Sequence, residues 1–149
     1  MFQHLLVPLD GSDYALRALD KGEELAQLTG ARLTLLSVLL RAERPEATHV
    51  NKLDEQSRER LQADLDALVE QVKARSALEQ VDSEVRFGEP ARQITEYAND
   101  AGLDLIVMST HGLGATGQYA LGSVALKVLM TASSPVLMVR IPSHGSEQD

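Results

Sequence analysis

The chain has 149 residues, 22 of them acidic against 14 Lys or Arg, for a formal net charge of -8. An acidic excess disfavours nonspecific binding to nucleic acid or anionic lipid, because both need clusters of Lys and Arg. The absence of cysteine excludes a disulfide framework and thiolate metal sites, and the four histidines show no zinc-binding spacing.

The amino-terminal segment predicts a strand rather than a targeting signal. Its apolar run is interrupted by Pro8 and ended by Asp10, and no basic segment precedes it. No apolar stretch of the chain is long enough to cross a bilayer. We therefore expect a cytoplasmic protein with one domain at residues 1–142 and a polar tail at residues 143–149.

Strand and helix patterns alternate along the chain. Apolar or alternating runs predict five strands, at His4–Leu9, Ala31–Leu40, Val81–Phe87, Leu103–Met108 and Val136–Val139. Helical spacing predicts four helices, from Ser12 as N-cap to Gly30, from Lys52 to Arg75, from Pro90 to Gly102, and over at least the second half of residues 116–132. The charged residues of the long second helix are interpreted as a solvated face. Because parallel strands need crossover connections, the alternation predicts an α/β fold, a doubly wound five-stranded parallel sheet with helices on both faces.

Residues suited to phosphate binding follow two of the predicted strands. Asp10, Gly11 and Ser12 follow the first, and a loop rich in glycine and hydroxyl side chains, residues 109–117, follows the fourth. Glycine lets backbone N–H groups approach phosphate oxygens, and a following helix adds partial positive charge. Ligands of doubly wound sheets bind at this edge, although such a loop also suits a plain connection.

Two common nucleotide motifs do not account for this loop. Residues 112–117 spell GLGATG, but a dinucleotide fingerprint belongs in the first βαβ unit and needs an acid about 20 residues later, which this chain lacks. A P-loop would continue with Lys and Ser or Thr, where this chain has Gln118 and Tyr119. The first match is therefore interpreted as accidental, and a P-loop is excluded.

Five segments carry a resemblance to a known family: HLLVPLDGS, FGEPARQI, DLIVMSTHG, LGSVALKVL and SSPVLMV. Over nearly its whole length the chain resembles the universal stress protein family. ATP-binding members of that family carry G-x2-G-x9-G-[ST], and Gly112, Gly122 and Ser123 match its second half. Ser109 stands where the first glycine is expected. The resemblance also implies the strand order 3-2-1-4-5.

The resemblance implies an adenine-nucleotide site. Asp10 is expected at the ribose or base, Val38 on adenine, and Gly112, Gly122, Ser123 and Val124 around the phosphates. The full set of implied binding residues is Pro8, Asp10, Val38, Met108, Ser109, His111, Gly112, Gly114, Gly122, Ser123 and Val124. Structural alternatives remain for four of these residues: Asp10 as a turn acid, Val38 as core, His111 as a polar loop residue, and Ser123 as a helix N-cap.

The expected function is that of an ATP-binding stress-response regulator, with Mg²⁺ or Mn²⁺ bound through the phosphates. A slow ATPase or nucleotidyl-transfer enzyme is one alternative, and an interaction module without nucleotide is the other. Residues 109–126 contain no Lys or Arg and no evident catalytic base, so we expect no enzyme beyond weak ATPase activity. The intact glycines argue against the interaction module.

The fifth predicted strand suggests self-association. It is apolar on both faces, and the implied strand order places it at a sheet edge, where unpaired backbone groups favour pairing with another chain. We therefore expect a homodimer through Val136 to Arg140, closed by two-fold symmetry. A regulatory target such as a transporter or kinase is implied by family analogy alone.

Overall fold

The computed structural model describes residues 1–40, 52–112 and 121–140, with only the backbone of Lys52 and Leu53. Strands and helices alternate throughout these ranges. In chain order the elements are β1 (His4–Pro8), α1 (Asp13–Thr29), β2 (Arg32–Leu39), α2 (Lys52–Ser76), β3 (Val81–Phe87), α3 (Pro90–Asp100), β4 (Leu105–Ser109), α4 (Ser123–Thr131) and β5 (Val136–Val139). The predicted tail at residues 143–149 and the first part of the predicted fourth helix lie outside the described residues. In the described part of the chain, no helix is long and apolar enough to cross a membrane.

The five strands form one parallel sheet in the order β3-β2-β1-β4-β5, which confirms the expected fold. From β1 the chain adds β2 and then β3 toward one edge of the sheet. It then returns to the other side of β1 and adds β4 and β5. The reversal places β1 beside β4, with Leu5 opposite Leu105 and Leu6 opposite Ile106. Loops that follow these two strands therefore meet at one edge of the sheet.

Two apolar layers cover the sheet. One layer joins β1, β2 and β3 to buried side chains of α1 and α2, including Leu19, Leu65 and Val72. The other layer joins the opposite face to α3 and α4, through Ile94 and Val128. Burying each such side chain contributes about 1.5–3 kcal/mol, so packing rather than helix propensity holds the helices in place.

Local signals fix where the helices begin. Ser12 caps α1 as predicted, since its hydroxyl accepts a hydrogen bond from the Ala15 N–H at 3.2 Å. At α3, Pro90 occupies the first turn and the Glu89 carboxylate accepts from the N–H groups of Ala91 and Arg92. The sequence indicated Pro90 but not the Glu89 cap.

The fourth strand begins later than predicted, at Leu105 rather than Leu103. The Asp104 carboxylate accepts hydrogen bonds from the N–H groups of Gln3 and His4, at 2.7 and 3.1 Å. The Leu103 N–H bonds to the Ala98 carbonyl instead of to a neighbouring strand. These residues thus anchor the strand entrance at the edge opposite the expected site.

A polar cluster lies on the α3 side of the sheet, near the amino ends of β1 to β3. The buried Thr34 hydroxyl donates to the Asp82 carboxylate, and His4 Nε2 lies 2.7 Å from the same hydroxyl oxygen. Burial first, and then the nearby Arg32 guanidinium, lower the pKa of His4 below its usual range. The environment therefore favours the neutral imidazole, which donates from Nε2 because the Thr34 proton is committed to Asp82.

One charged residue of α2 is not part of the predicted solvated face, because it forms an ion pair with α1. Glu23, only 4% exposed, lies on the buried side of α1. Arg75 binds it with two N–H groups, at 2.8 and 2.7 Å, and the Ser76 hydroxyl donates to it at 2.6 Å. Arg75 is thus an exception among the charged residues of α2, because it neutralises a carboxylate inside the fold.

Removing Arg75 should cost far more stability than removing an arginine from an exposed pair. Arg75→Met leaves the Glu23 carboxylate buried without its main partner, and we expect a loss of about 2 kcal/mol or more. Arg92→Met, which breaks the exposed pair between Arg92 and Glu96, should cost about 0.5 kcal/mol or less. Urea unfolding followed by circular dichroism measures both losses.

The double variant Glu23→Gln, Arg75→Met provides the control. Because it removes the buried charge together with its partner, it should recover part of the loss of Arg75→Met. Equal losses in Arg75→Met and Arg92→Met would contradict the structural role assigned to Glu23.

Candidate functional site

The turn after β1 presents the Asp10 carboxylate at the carboxyl edge of the sheet. Asp10 Oδ1 accepts hydrogen bonds from the Ser12 N–H and hydroxyl, at 2.9 and 2.5 Å. Gly11 has φ +86°, a conformation that glycine adopts without strain. Asp10 is therefore a turn acid, as the structural alternative proposed, and the turn also fixes the orientation of its carboxylate.

Gly112, in the loop after β4, lies directly against that carboxylate. A Cβ atom added to Gly112 would overlap with Asp10 Oδ2 and lie 3.6 Å from its Cγ. With the carboxylate in this position, only glycine fits at residue 112. The structure thus brings together Asp10, which the resemblance placed at the ribose or base, and Gly112, which it placed at the phosphates.

Backbone hydrogen bonds hold the entrance and exit of the β4–α4 loop together. The Gly122 N–H donates to the Thr110 carbonyl at 2.7 Å, and the Thr110 N–H donates to Val139 at 3.2 Å. A Cβ on Gly122 would lie 3.2 Å from the Thr110 carbonyl oxygen, so this glycine also permits a close approach. Gly112 and Gly122 are therefore neighbours, although nine residues separate them in sequence. Gly114 lies outside the described residues.

Ser109, at the position of the first glycine in the family pattern, is buried at the end of β4. Its hydroxyl donates to the His111 carbonyl two residues later. The Ser109 side chain, which the glycine of the family pattern lacks, therefore stabilises the start of the β4–α4 loop.

The fourth helix begins differently from the structural alternative, which made Ser123 its N-cap. Gly122 is the N-cap, with φ -60° and ψ 153°, and no side chain caps the helix there. The first helical bond runs from the Leu126 N–H to the Gly122 carbonyl at 2.9 Å. The N-cap prediction for Ser123 was wrong because the Gly122–Thr110 bond sets the helix start one residue earlier. Ser123 is instead the exposed first residue of α4.

The predicted apolar binding residues share one layer. Met108 is buried in the cluster beneath α3 and α4, and Val38 and Val124 pack against that cluster while keeping partial exposure. Pro8 ends β1, opposite Leu36. Val38 is thus partly a core residue, as its alternative proposed, and it borders the same edge as Val124.

The amino-acid sequence did not indicate the contacts that His111 makes. Its ring lies 5.4 Å from the ring of Tyr14, measured between centroids, with the planes inclined by 34°. Nδ1 lies 3.2 Å from the Thr110 hydroxyl oxygen. Tyr14 lies in the first turn of α1, and its proximity to His111 depends on the β1–β4 pairing, which no local pattern reveals.

A second pair near the amino ends of α3 and α4 also escaped prediction. The Lys127 ammonium lies 3.7 Å from the Glu89 carboxylate, and both side chains are exposed. Across the described ranges, no group of three or more His, Cys, Asp or Glu could hold a metal ion.

The chain is similar to known proteins over most of its length. A sequence profile described as the Universal stress protein family matches residues 1–140. A universal stress protein of Thermus aquaticus, encoded in the QAH/OAS sulfhydrylase 3′ region, is 35% identical over 142 residues, covering 94% of this chain and 100% of the relative. Universal stress protein YxiE of Bacillus subtilis is 34% identical over 149 residues, with 94% and 100% covered.

Solved structures show the same similarity in three dimensions. UspA from Lactobacillus plantarum is 29% identical, with a TM-score of 0.74 over 93% of this chain and 98% of that one. A universal stress protein solved in complex with cAMP is 26% identical, with a TM-score of 0.62 over 93% of this chain and 96% of that one. Profile, relatives and fold coincide, and the chain therefore belongs to the universal stress protein family.

Proposed function

We propose that this protein binds an adenine nucleotide, specifically ATP, at the edge formed by the β1–α1 turn and the β4–α4 loop, and that it acts in the cytoplasm as a dimeric regulator of a partner. The close approach of Gly112 to the Asp10 carboxylate is the observation that carries this proposal. It joins an acceptor for ribose hydroxyls to a backbone segment suited to phosphate. The similar protein solved with cAMP supports an adenine nucleotide as the ligand class.

The orientation of the nucleotide follows from the chemistry of the edge. Val38 and Val124 offer partly exposed apolar surface, which suits the adenine ring. The Asp10 carboxylate suits the ribose, because a carboxylate accepts hydrogen bonds from hydroxyl groups. The backbone of Gly112, Gly122 and Ser123 lies at the start of α4, where N–H groups and the helix dipole favour phosphate.

A divalent cation, Mg²⁺ or Mn²⁺, is part of the proposal. Residues 109–126 contain no Lys or Arg, so side chains of this segment supply no permanent positive charge to a triphosphate. Hard cations bind phosphate oxygens and complete their coordination with water.

Two other functions remain as alternatives to the proposal. An ATPase or nucleotidyl-transfer enzyme would need a base or a cation at the transferring phosphate. Phosphate release at the roughly 1–10³ s⁻¹ of ordinary enzymes, abolished by a site variant, would favour it. An interaction module without nucleotide would leave unexplained why Gly112 approaches Asp10 so closely. Failure to find nucleotide, either bound to the purified protein or in a binding titration, would favour that module.

The exposed edge of β5 supports the proposed dimer. Leu137 is 40% exposed on this strand, and β5 pairs with β4 on one side alone within the described sheet. The carbonyls of Pro135 and Val139 accept hydrogen bonds from β4. Successive residues of a strand direct their backbone N–H and C=O groups to opposite edges. The N–H groups of Met138 and Arg140 therefore point to the open edge. A second copy can pair with these groups.

Replacing either close-contact glycine should abolish ATP binding without unfolding the protein. Gly112→Val pushes the Asp10 carboxylate away, and Gly122→Val disturbs the loop closure at Thr110. We expect isothermal calorimetry to show at least about a tenfold loss of affinity, or about 1.4 kcal/mol. Ala101→Val, an exposed position at the opposite end of the strands, is the matched control. Unchanged affinity in both glycine variants, with intact circular dichroism spectra, would refute the site.

Chelation of divalent cations should weaken ATP binding. EDTA removes the charge that offsets the triphosphate, whereas AMP, with fewer phosphate charges, should lose less affinity. Calorimetry with and without EDTA compares the two nucleotides. Equal ATP affinity in metal-free buffer would mean that backbone N–H groups suffice.

Blocking the outward N–H groups of β5 should shift the dimer to monomer. Met138→Pro and Arg140→Pro each delete a donor at the open edge without removing one that faces β4. Light scattering after size exclusion should report twice the 16.2 kDa chain mass for the natural protein and a lower mass for both variants. Arg140→Ala, which keeps the N–H, is the control and should stay dimeric. A natural chain that is monomeric at micromolar concentration would overturn this interface.

A further inference from the structure

Contacts from two separate elements fix the imidazole of His111. The Tyr14 ring, in the first turn of α1, lies 5.4 Å from it, and the Thr110 hydroxyl lies 3.2 Å from Nδ1. A tilted aromatic pair of this kind contributes about 0.5–1.5 kcal/mol beyond its buried area. Together the two contacts limit how far the ring can turn.

The fixed ring lies beside the proposed site. The residue after it, Gly112, is in contact with the Asp10 carboxylate, and the Gly122 backbone approaches the His111 Cα. Because Thr110 occupies Nδ1, a ligand oxygen near this ring would be met by Nε2. The imidazole therefore has one anchored nitrogen and one nitrogen suited to a ligand.

Few other groups in this region can change their charge. Residues 109–126 contain no Asp, Glu, Lys or Arg, and His111 is their one side chain that ordinarily titrates between pH 5 and 8. The titratable side chains of the adjoining turn and helix start are Asp10, Asp13 and Tyr14, of which Tyr14 contacts the ring. On α4 the first charge is Lys127, which lies near Glu89.

We propose that Tyr14 is a positioning residue, which holds His111 against the phosphate side of the nucleotide site so that protonation of His111 strengthens nucleotide binding. The inference rests on the proposed nucleotide-binding function and adds a regulation to it. A protonated imidazole donates a charge-assisted hydrogen bond to phosphate, about twice as strong as a neutral one. Nucleotide affinity then rises as pH falls through the range in which histidine titrates.

The test is calorimetry of ATP binding from about pH 5.5 to about pH 8.5 at constant magnesium and ionic strength. The natural protein is compared with His111→Asn, which keeps a polar side chain and loses the titration. ATP changes its own charge in this range, but that change is common to both proteins. We expect the dissociation constant of the natural protein to rise about tenfold more than that of His111→Asn.

Two Tyr14 variants separate positioning from general support of the fold. Tyr14→Phe keeps the ring contact and should keep the pH profile of the natural protein. Tyr14→Ala removes the ring, and its profile should approach that of His111→Asn. A merely structural role would lower the affinity of Tyr14→Ala by the same factor at every pH.

A measurement on the natural protein makes the test independent of how the variants fold. Calorimetry near neutral pH in two buffers with different ionisation enthalpies should reveal proton uptake on binding. Parallel pH profiles for the natural protein and His111→Asn would overturn this inference while leaving ATP binding intact. Failure of the natural protein to bind ATP at any pH would overturn the proposed function, and this inference with it.

Discussion

The site depends on one steric constraint, the approach of the Gly112 backbone to the Asp10 carboxylate. Ser12, which also caps α1, orients the Asp10 carboxylate through two hydrogen bonds, so displacing the carboxylate breaks both. The β4–α4 loop must therefore adapt to Asp10, and a side chain at position 112 would occupy the space of the carboxylate. Binding geometry and helix initiation are thus linked through the same three hydrogen bonds.

The strand order of the sheet brings Asp10 and Gly112 together. Because β1 and β4 are neighbours, residues about 100 positions apart in sequence enter one edge, as the Gln3–Asp104 hydrogen bond shows at the opposite end of the same strands. Apolar packing on both faces fixes the strands, and the polar groups at the two edges are then positioned by a rigid support. The carboxyl edge carries polar side chains such as Asp10 and His111, whereas the amino edge is closed by hydrogen bonds from backbone N–H groups to the Asp104 carboxylate.

Sequence patterns predicted those features that depend on local periodicity or on fixed spacing. The five strands and the Ser12 cap follow from residues close in sequence, and the family pattern assigned Gly112 and Gly122 to one site. The Glu23–Arg75 pair and the Tyr14–His111 contact could not be predicted, because each joins elements whose relative placement is set by tertiary packing. The predicted cap at Ser123 failed for the same reason. A backbone bond from Gly122 to Thr110, across the loop, decided where the helix starts.

The charge of the whole chain poses a final constraint on any anionic ligand. A net charge of -8 repels a polyphosphate at long range, but at physiological salt this repulsion is screened beyond about 8 Å. Binding must therefore be decided by groups in direct contact with the ligand. In the proposed site, those groups are backbone N–H dipoles, the divalent cation that we propose to accompany the nucleotide, and the His111 imidazole. A permanent Lys or Arg would bind phosphate under all conditions, whereas the proposed combination would make nucleotide occupancy depend on metal and proton concentration.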